Sequence, residues 1–179
     1  MLKLENTALV IIDLQGKLWN VMYAKEALLE NILKLIKSFR ILEVPMILTE
    51  QNPKGLGSTL DEIVQILPEI KPITKFTFSC CQNGEFMQAI SDLKRKQILI
   101  CGIEAHICVY QTSLELLSKG YEVQVVADAV ASRATKNMDI ALSRVQSEGV
   151  KLTVSEMAQY ELLQTAENPK FKDLLKVVK

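Results

Sequence analysis

Apolar residues fall along this chain in two alternating rhythms. Short runs rich in aliphatic side chains occupy Thr7–Ile12, residues 98–101 and residues 122–126, and PMILT at 45–49 is similar. Each is bounded by polar residues, glycine or proline, as strands buried on both faces are. Between the runs the period becomes helical. Leu28, Ile32, Leu35, Ile36 and Phe39 recur at helix spacing, as do Phe86, Ile90 and Leu93, and again Met138, Ala141, Leu142 and Val145. The segment 105–118 is also helix-like, with Gly120 as its expected C′ glycine. Ser155 reads as an N-cap, and Asn168-Pro169 as N-cap and first residue of a final helix. A run at 151–154 supplies a sixth strand if residues 72–74 supply the third. Strand and helix alternating throughout imply a doubly wound parallel sheet with helices on both faces.

Composition narrows this. With 179 residues, 49% hydrophobic, the chain suits one domain over 1–179 with a sizeable core. Lys+Arg and Asp+Glu number 21 each, so no nucleic acid or anionic membrane is expected as the main partner. His106 is the single histidine, which excludes every two-histidine metal site within one chain. Of four cysteines, adjacent Cys80 and Cys81 make a poor disulfide, and Cys101 lies in an apolar run as a buried thiol would. No secretory pattern opens the chain and no apolar stretch reaches membrane-spanning length, so a reducing cytoplasm is expected.

Candidate chemistry concentrates where strands end. Asp13 closes the first strand in VIIDLQ, where it either points into the ligand crevice of such sheets or caps the next helix. Cys108 lies in ICGIEAHICVYQT, read as a strand, a tight Gly102 turn and a helix. A first-turn thiol there has its pKa lowered by the helix N-terminus, beside backbone N–H groups suited to an oxyanion; the plain alternative is a small buried hydrophobe. His106, two residues away, is badly spaced to orient on Cys108 and instead lines the pocket or packs at the corner. Lys75, between a short extended run and Phe76 and Phe78, is either a tuned, desolvated lysine or a surface one. Gly55 to Ser58 completes no phosphate-binding motif, and Thr59 with Glu62 fits a capping box. Asp128 and Ser132 face the crevice or serve turns and caps.

VIIDLQ, ITKFTFSC and ICGIEAHICVYQT together resemble the isochorismatase-like cysteine hydrolases, a superfamily that includes nicotinamidases. TEQNPKGLG, ADAVASR and the tail look closest to the isochorismatase domain-containing proteins. The resemblance implies a six-stranded, three-layer α/β/α sheet of order 3-2-1-4-5-6, a catalytic triad of Asp13, Lys75 and Cys108, and a homo-oligomer. It also implies a cis peptide at Ile103-Glu104 that aims the Glu104 and Cys108 amides at one oxyanion. Nicotinamidases hold a metal through histidines after the second strand; TEQNPKGLG has none, so no metal or cofactor is expected. Isochorismatases proper carry an acid where this chain has Cys108, so vinyl-ether hydrolysis is not the expected reaction. The expected activity is hydrolysis of a small carboxamide or related acyl substrate through a thioester on Cys108, in a pocket walled by Gln15, Trp19, Gln51, Phe78 and His106. A non-catalytic scaffold or a redox-sensing thiol protein on the same fold is the competing class.

Overall fold

Burial of whole runs, rather than of alternate residues, decides the architecture. In the computed structural model, which describes residues 1–178, every residue of β1 (Thr7–Ile12) is buried. A strand hides both faces only between two layers. After β1 come α1 (Gly16–Trp19), α2 (Lys25–Ile41), β2 (Met46–Gln51), α3 (Pro53–Leu56), α4 (Asp61–Ile66), β3 (Ile73–Lys75) and α5 (Gly84–Asp92). The second half has β4 (Gln97–Ile103), α6 (Tyr110–Ser118), β5 (Glu122–Ala131), α7 (Thr135–Ser147), β6 (Lys151–Thr153), α8 (Ser155–Leu163) and α9 (Phe171–Val178). Six strands form one sheet in the order 3-2-1-4-5-6, every pairing parallel, as the resemblance implied.

Each strand feeds both layers. Leu9 and Ile11 of β1 join Leu99 and Cys101 of β4 against the apolar stripe of α2, with Leu162 of α8 and Leu174 of α9 beside them. Their neighbours Val10, Ile12, Ile98 and Ile100 face Phe86 of α5, Leu116 of α6 and Val145 of α7. At the end of α6, Gly120 has φ 83°. Its N–H donates to Leu117 O at 2.9 Å while that of Tyr121 donates to Leu116 O at 3.1 Å, which closes the helix as the sequence suggested.

Several local readings change. Gly102 is not a turn but part of β4, at φ 115°; a Cβ there would lie 2.1 Å from the Ile12 carbonyl oxygen, so only glycine lets β4 run on against β1. Thr59 forms no capping box with Glu62. Its N–H and Oγ1 both donate to Glu50 Oε1, at 2.6 and 2.7 Å, because the buried Glu50 carboxylate competes better for them. Ser155 is the first residue of α8 rather than its N-cap, and Asp128 takes the capping role from β5. The final helix starts at Phe171, since Asn168 Oδ1 closes a turn on the Lys170 N–H at 2.9 Å before it. Among the described residues no helix is long and apolar enough to cross a membrane.

Candidate active site

The sheet order reverses between β1 and β4, and the carboxyl ends of strands on either side of that point carry the candidate residues. Asp13 follows β1, Lys75 closes β3, and Cys108 sits in a wide helical turn, Ala105–Val109, that links β4 to α6.

Asp13 adopts φ 53°, a left-handed conformation that aspartate tolerates better than most residues. Both of its carboxylate oxygens are engaged: Thr49 Oγ1 donates to Oδ1 at 2.8 Å and Lys75 Nζ donates to Oδ2 at 2.6 Å. This settles its two sequence readings in favour of the crevice, since α1 begins without a side-chain cap. The Lys75 side chain is 1% exposed and that of Asp13 0%, so Lys75 is no surface lysine. Lys75 reaches Asp13 across the end of β2, where Gln51 Oε1 accepts a second bond from Nζ at 2.8 Å and the Thr77 and Phe78 carbonyls lie at 3.3 Å. A buried ammonium is tolerable only with such compensation.

The electrostatics follow from this burial. Desolvation disfavours the Lys75 ammonium, but Asp13 above all, then Cys80 and Cys108, outweigh it and hold its pKa above the usual value. Burial first, and the Asp13 carboxylate second, push the Cys108 thiol far above its ordinary pKa, with Lys75 pulling the other way. The lowered pKa expected from a helix N-terminus is therefore reversed here, because desolvation and a neighbouring anion dominate. Cys80 is pushed up to about 11 by burial.

A cavity of about 140 Å³ opens over these groups. Asp13, Gln51, Phe78, Glu104 and Cys108 line it, together with Leu18, Leu56 and Ile107, which sequence reasoning did not single out. The Ile103-Glu104 peptide is cis. Glu104 is buried, and its Oε2 accepts from the Arg133 backbone N–H at 3.0 Å and from Arg133 Nε at 3.2 Å.

The remaining candidates lie elsewhere. Gln15 is fully buried outside the cavity wall, where its amide donates to Gln51 O at 3.0 Å and Gly57 O at 2.6 Å and its Oε1 accepts from Gln51 N–H at 2.7 Å. It thereby pins the loop that carries Leu56. Trp19 packs into the core on the α2 face. His106 turns away from Cys108, bonds Ser132 Oγ at 2.9 Å and lines a separate shallow cleft with Tyr110, Ile140 and Arg144. Thr49 is the partner of Asp13 that sequence reasoning missed; its only signal was a polar residue ending the apolar run PMILT.

The isochorismatase domain pattern matches residues 7–157 of this chain. The chain belongs to the isochorismatase family. An isochorismatase domain-containing protein 2 from Danio rerio is 37% identical over 177 residues, covering 99% of this chain and 89% of that relative. A structure described as MAR1 ribonuclease from Caenorhabditis elegans has a TM-score of 0.93 at 36% identity, covering 99% of this chain and 91% of its own. YcaC from Pseudomonas aeruginosa, determined with hexane-2,5-diol and covalent acrylamide, has a TM-score of 0.93 at 25% identity and covers 98% and 90%. Fold and isochorismatase family membership together mark the chain as hydrolase-type.

Proposed function

We propose that this protein is a cysteine-dependent hydrolase of a small carboxamide or related acyl compound, with Cys108 as nucleophile, Asp13 as proton carrier and Lys75 as their electrostatic partner. The observation that carries this reading is a fully buried Asp13–Lys75 pair beside a thiol in the wall of a cavity of about 140 Å³. A cavity of this size, close to the roughly 150 Å³ that accepts benzene, fits a small acyl group.

A thiol held protonated at rest needs a base in contact with it when it attacks. As the Cys108 sulfur bonds to the carbonyl carbon, its proton moves to Asp13 and the carbonyl π pair moves onto oxygen. The backbone N–H groups of Glu104 and Cys108 receive that oxyanion. Collapse breaks the C–N bond, Asp13 returns the proton to nitrogen, and ammonia or an amine leaves a thioester. Water then attacks the thioester, giving one proton to Asp13, which passes it to the departing sulfur. Lys75 balances negative charge on Asp13 at rest and near the sulfur during attack. Support also comes from the covalent acrylamide of the related YcaC, a carboxamide that reacts with nucleophiles.

The test is mass spectrometry of intact protein after exposure to a panel of small metabolite amides. An acyl adduct on Cys108, with turnover abolished by Cys108→Ala, is the expected result; unchanged turnover in that variant overturns the mechanism. The nematode relative's description as a ribonuclease favours a second reading. Cleavage of single-stranded RNA that survives Cys108→Ala would support it, whereas absence of any adduct or cleavage would favour a scaffold. We further take the protein as a cytoplasmic homo-oligomer. Its four cysteines are free and buried, and Val21, Tyr23, Phe76 and Phe78 expose apolar surface that a second copy would cover.

A further inference from the structure

Glu104 has one carboxylate oxygen that its bond to Arg133 leaves unused. Its side chain is 4% exposed, yet only Oε2 is occupied, by the Arg133 N–H groups. Oε1 takes no donor among the described residues. It is also not sealed in the core, since Ser38 Oγ is the one buried side-chain oxygen or nitrogen both sealed and unpartnered there. Glu104 lines the cavity, and the other side chains around Cys108 are mostly apolar: Leu18, Leu56, Phe78 and Ile107. A carboxylate oxygen in such surroundings accepts hydrogen bonds only and discriminates strongly against a group with no hydrogen to give.

Resting on the reading of Cys108 as nucleophile, we propose that Glu104 Oε1 is a specificity determinant that accepts a hydrogen bond from an N–H of the substrate. The site thereby selects carboxamides over esters of the same shape. Oε2 holds the turn at Arg133 while Oε1 reads the ligand.

Acrylamide and methyl acrylate make the matched pair of probes. With either, the thiolate sulfur bonds to the β-carbon, the alkene π bond breaks, and the thiol's proton ends on the α-carbon, so nothing leaves. Labelling rates at Cys108 are mapped by peptide mass and divided by each probe's rate with free glutathione. Wild-type protein should favour acrylamide on the order of tenfold or more, the worth of a hydrogen bond to a charged acceptor. Glu104→Gln keeps an oxygen for Arg133 but turns an NH₂ toward the cavity, and the preference should vanish. Arg133→Gln retains the backbone donor to Oε2, and the preference should persist. Labelling of Cys108 by both probes with the same ratio in wild type and Glu104→Gln overturns the inference and leaves the nucleophile reading standing. Loss of the preference in Arg133→Gln also overturns it, because bracing would then be the whole role. If neither probe labels Cys108 faster than Cys80, Cys81 and Cys101, both readings fall.

Discussion

Asp13 and Asp128 are the same residue type near the carboxyl ends of two parallel strands, and each began with the same two readings, crevice or cap. Asp13 is fully buried, bonded to Lys75 and Thr49, and at the cavity. Asp128 is half-buried, and its Oδ1 accepts from Ser155 N–H at 2.8 Å and Ser155 Oγ at 3.0 Å, holding the start of α8. Each raises the pKa of a thiol: Cys108 beside Asp13, and Cys101 near Asp128, with burial the larger cause in both. The difference lies in what else is present. Cys108 has Lys75 as a nearby cation and lines a cavity, whereas Cys101 is 0% exposed. On the proposed reading, an acid at a strand end serves chemistry when a buried cation and a reachable thiol share its surroundings, and serves as a cap when a helix N-terminus is its partner.

The largest expected effect comes from breaking the Asp13 pair. Lys75→Met leaves a carboxylate buried without its counter-charge and should cost about 3–5 kcal/mol in urea unfolding. The double variant Asp13→Asn with Lys75→Met should recover much of that loss. Asp13→Asn alone should lower amide turnover on the order of 10²–10⁴-fold. Burial alone still holds the thiol protonated in that variant, which has lost the base that takes its proton, so iodoacetamide should label Cys108 more slowly at pH 7 than in wild type. Asp128→Asn should leave Cys101 as unreactive as before. Faster labelling of Cys108 in Asp13→Asn would show that the carboxylate acts on the thiol only by raising its pKa and not as its base.

A second, smaller effect separates Cys108 by its titration. The folded thiol keeps its proton after the unfolded one has begun to release it, near pH 8.5. Its contribution to stability is therefore complete below that pH and is lost as pH rises, at about 1.4 kcal/mol per pH unit. Burial raises Cys80 to about 11 and Cys81 to about 12, so they act with the same sign. Urea midpoints from pH 7.5 to 10 should fall steeply, and Cys108→Ala should flatten the slope by one proton's worth. Parallel slopes in the two proteins would mean that the Cys108 thiol ionises alike folded and unfolded.

Much of this molecule was legible because two-sided burial writes itself into sequence. β1, with both faces covered, is an unbroken run from Thr7 to Ile12 and was read with its true bounds. Strand ends were less readable, because they depend on neighbours. β4 continues through Gly102 only because the missing Cβ clears Ile12, a residue far away in sequence. The Thr59–Glu62 box failed for the same reason: Glu50 competes for the same donors from another element. Motif order brought Asp13, Lys75 and Cys108 to notice together, and the structure brings their side chains to one place. The cavity wall was harder. Leu18, Leu56 and Ile107 are ordinary apolar residues with no local mark, while Gln15, Trp19 and His106, which carry more conspicuous chemistry, serve a loop, the core and another cleft.

Asp128→Ala is the smallest change and the sharpest check on the contrast between the two acids. Its carboxylate satisfies the backbone N–H of Ser155 at the first turn of α8, a group that would otherwise lack an intrahelical partner. Losing such a cap costs about 1 kcal/mol, well below the loss from unpairing Asp13. Amide turnover should stay at the wild-type level, because Asp128 touches neither the cavity nor Lys75. Urea unfolding and amide turnover measured on the same preparation read both quantities. If turnover fell as far as in Asp13→Asn while stability barely moved, Asp128 would share the chemistry of Asp13, and a buried cation would not be what separates a catalytic acid from a cap.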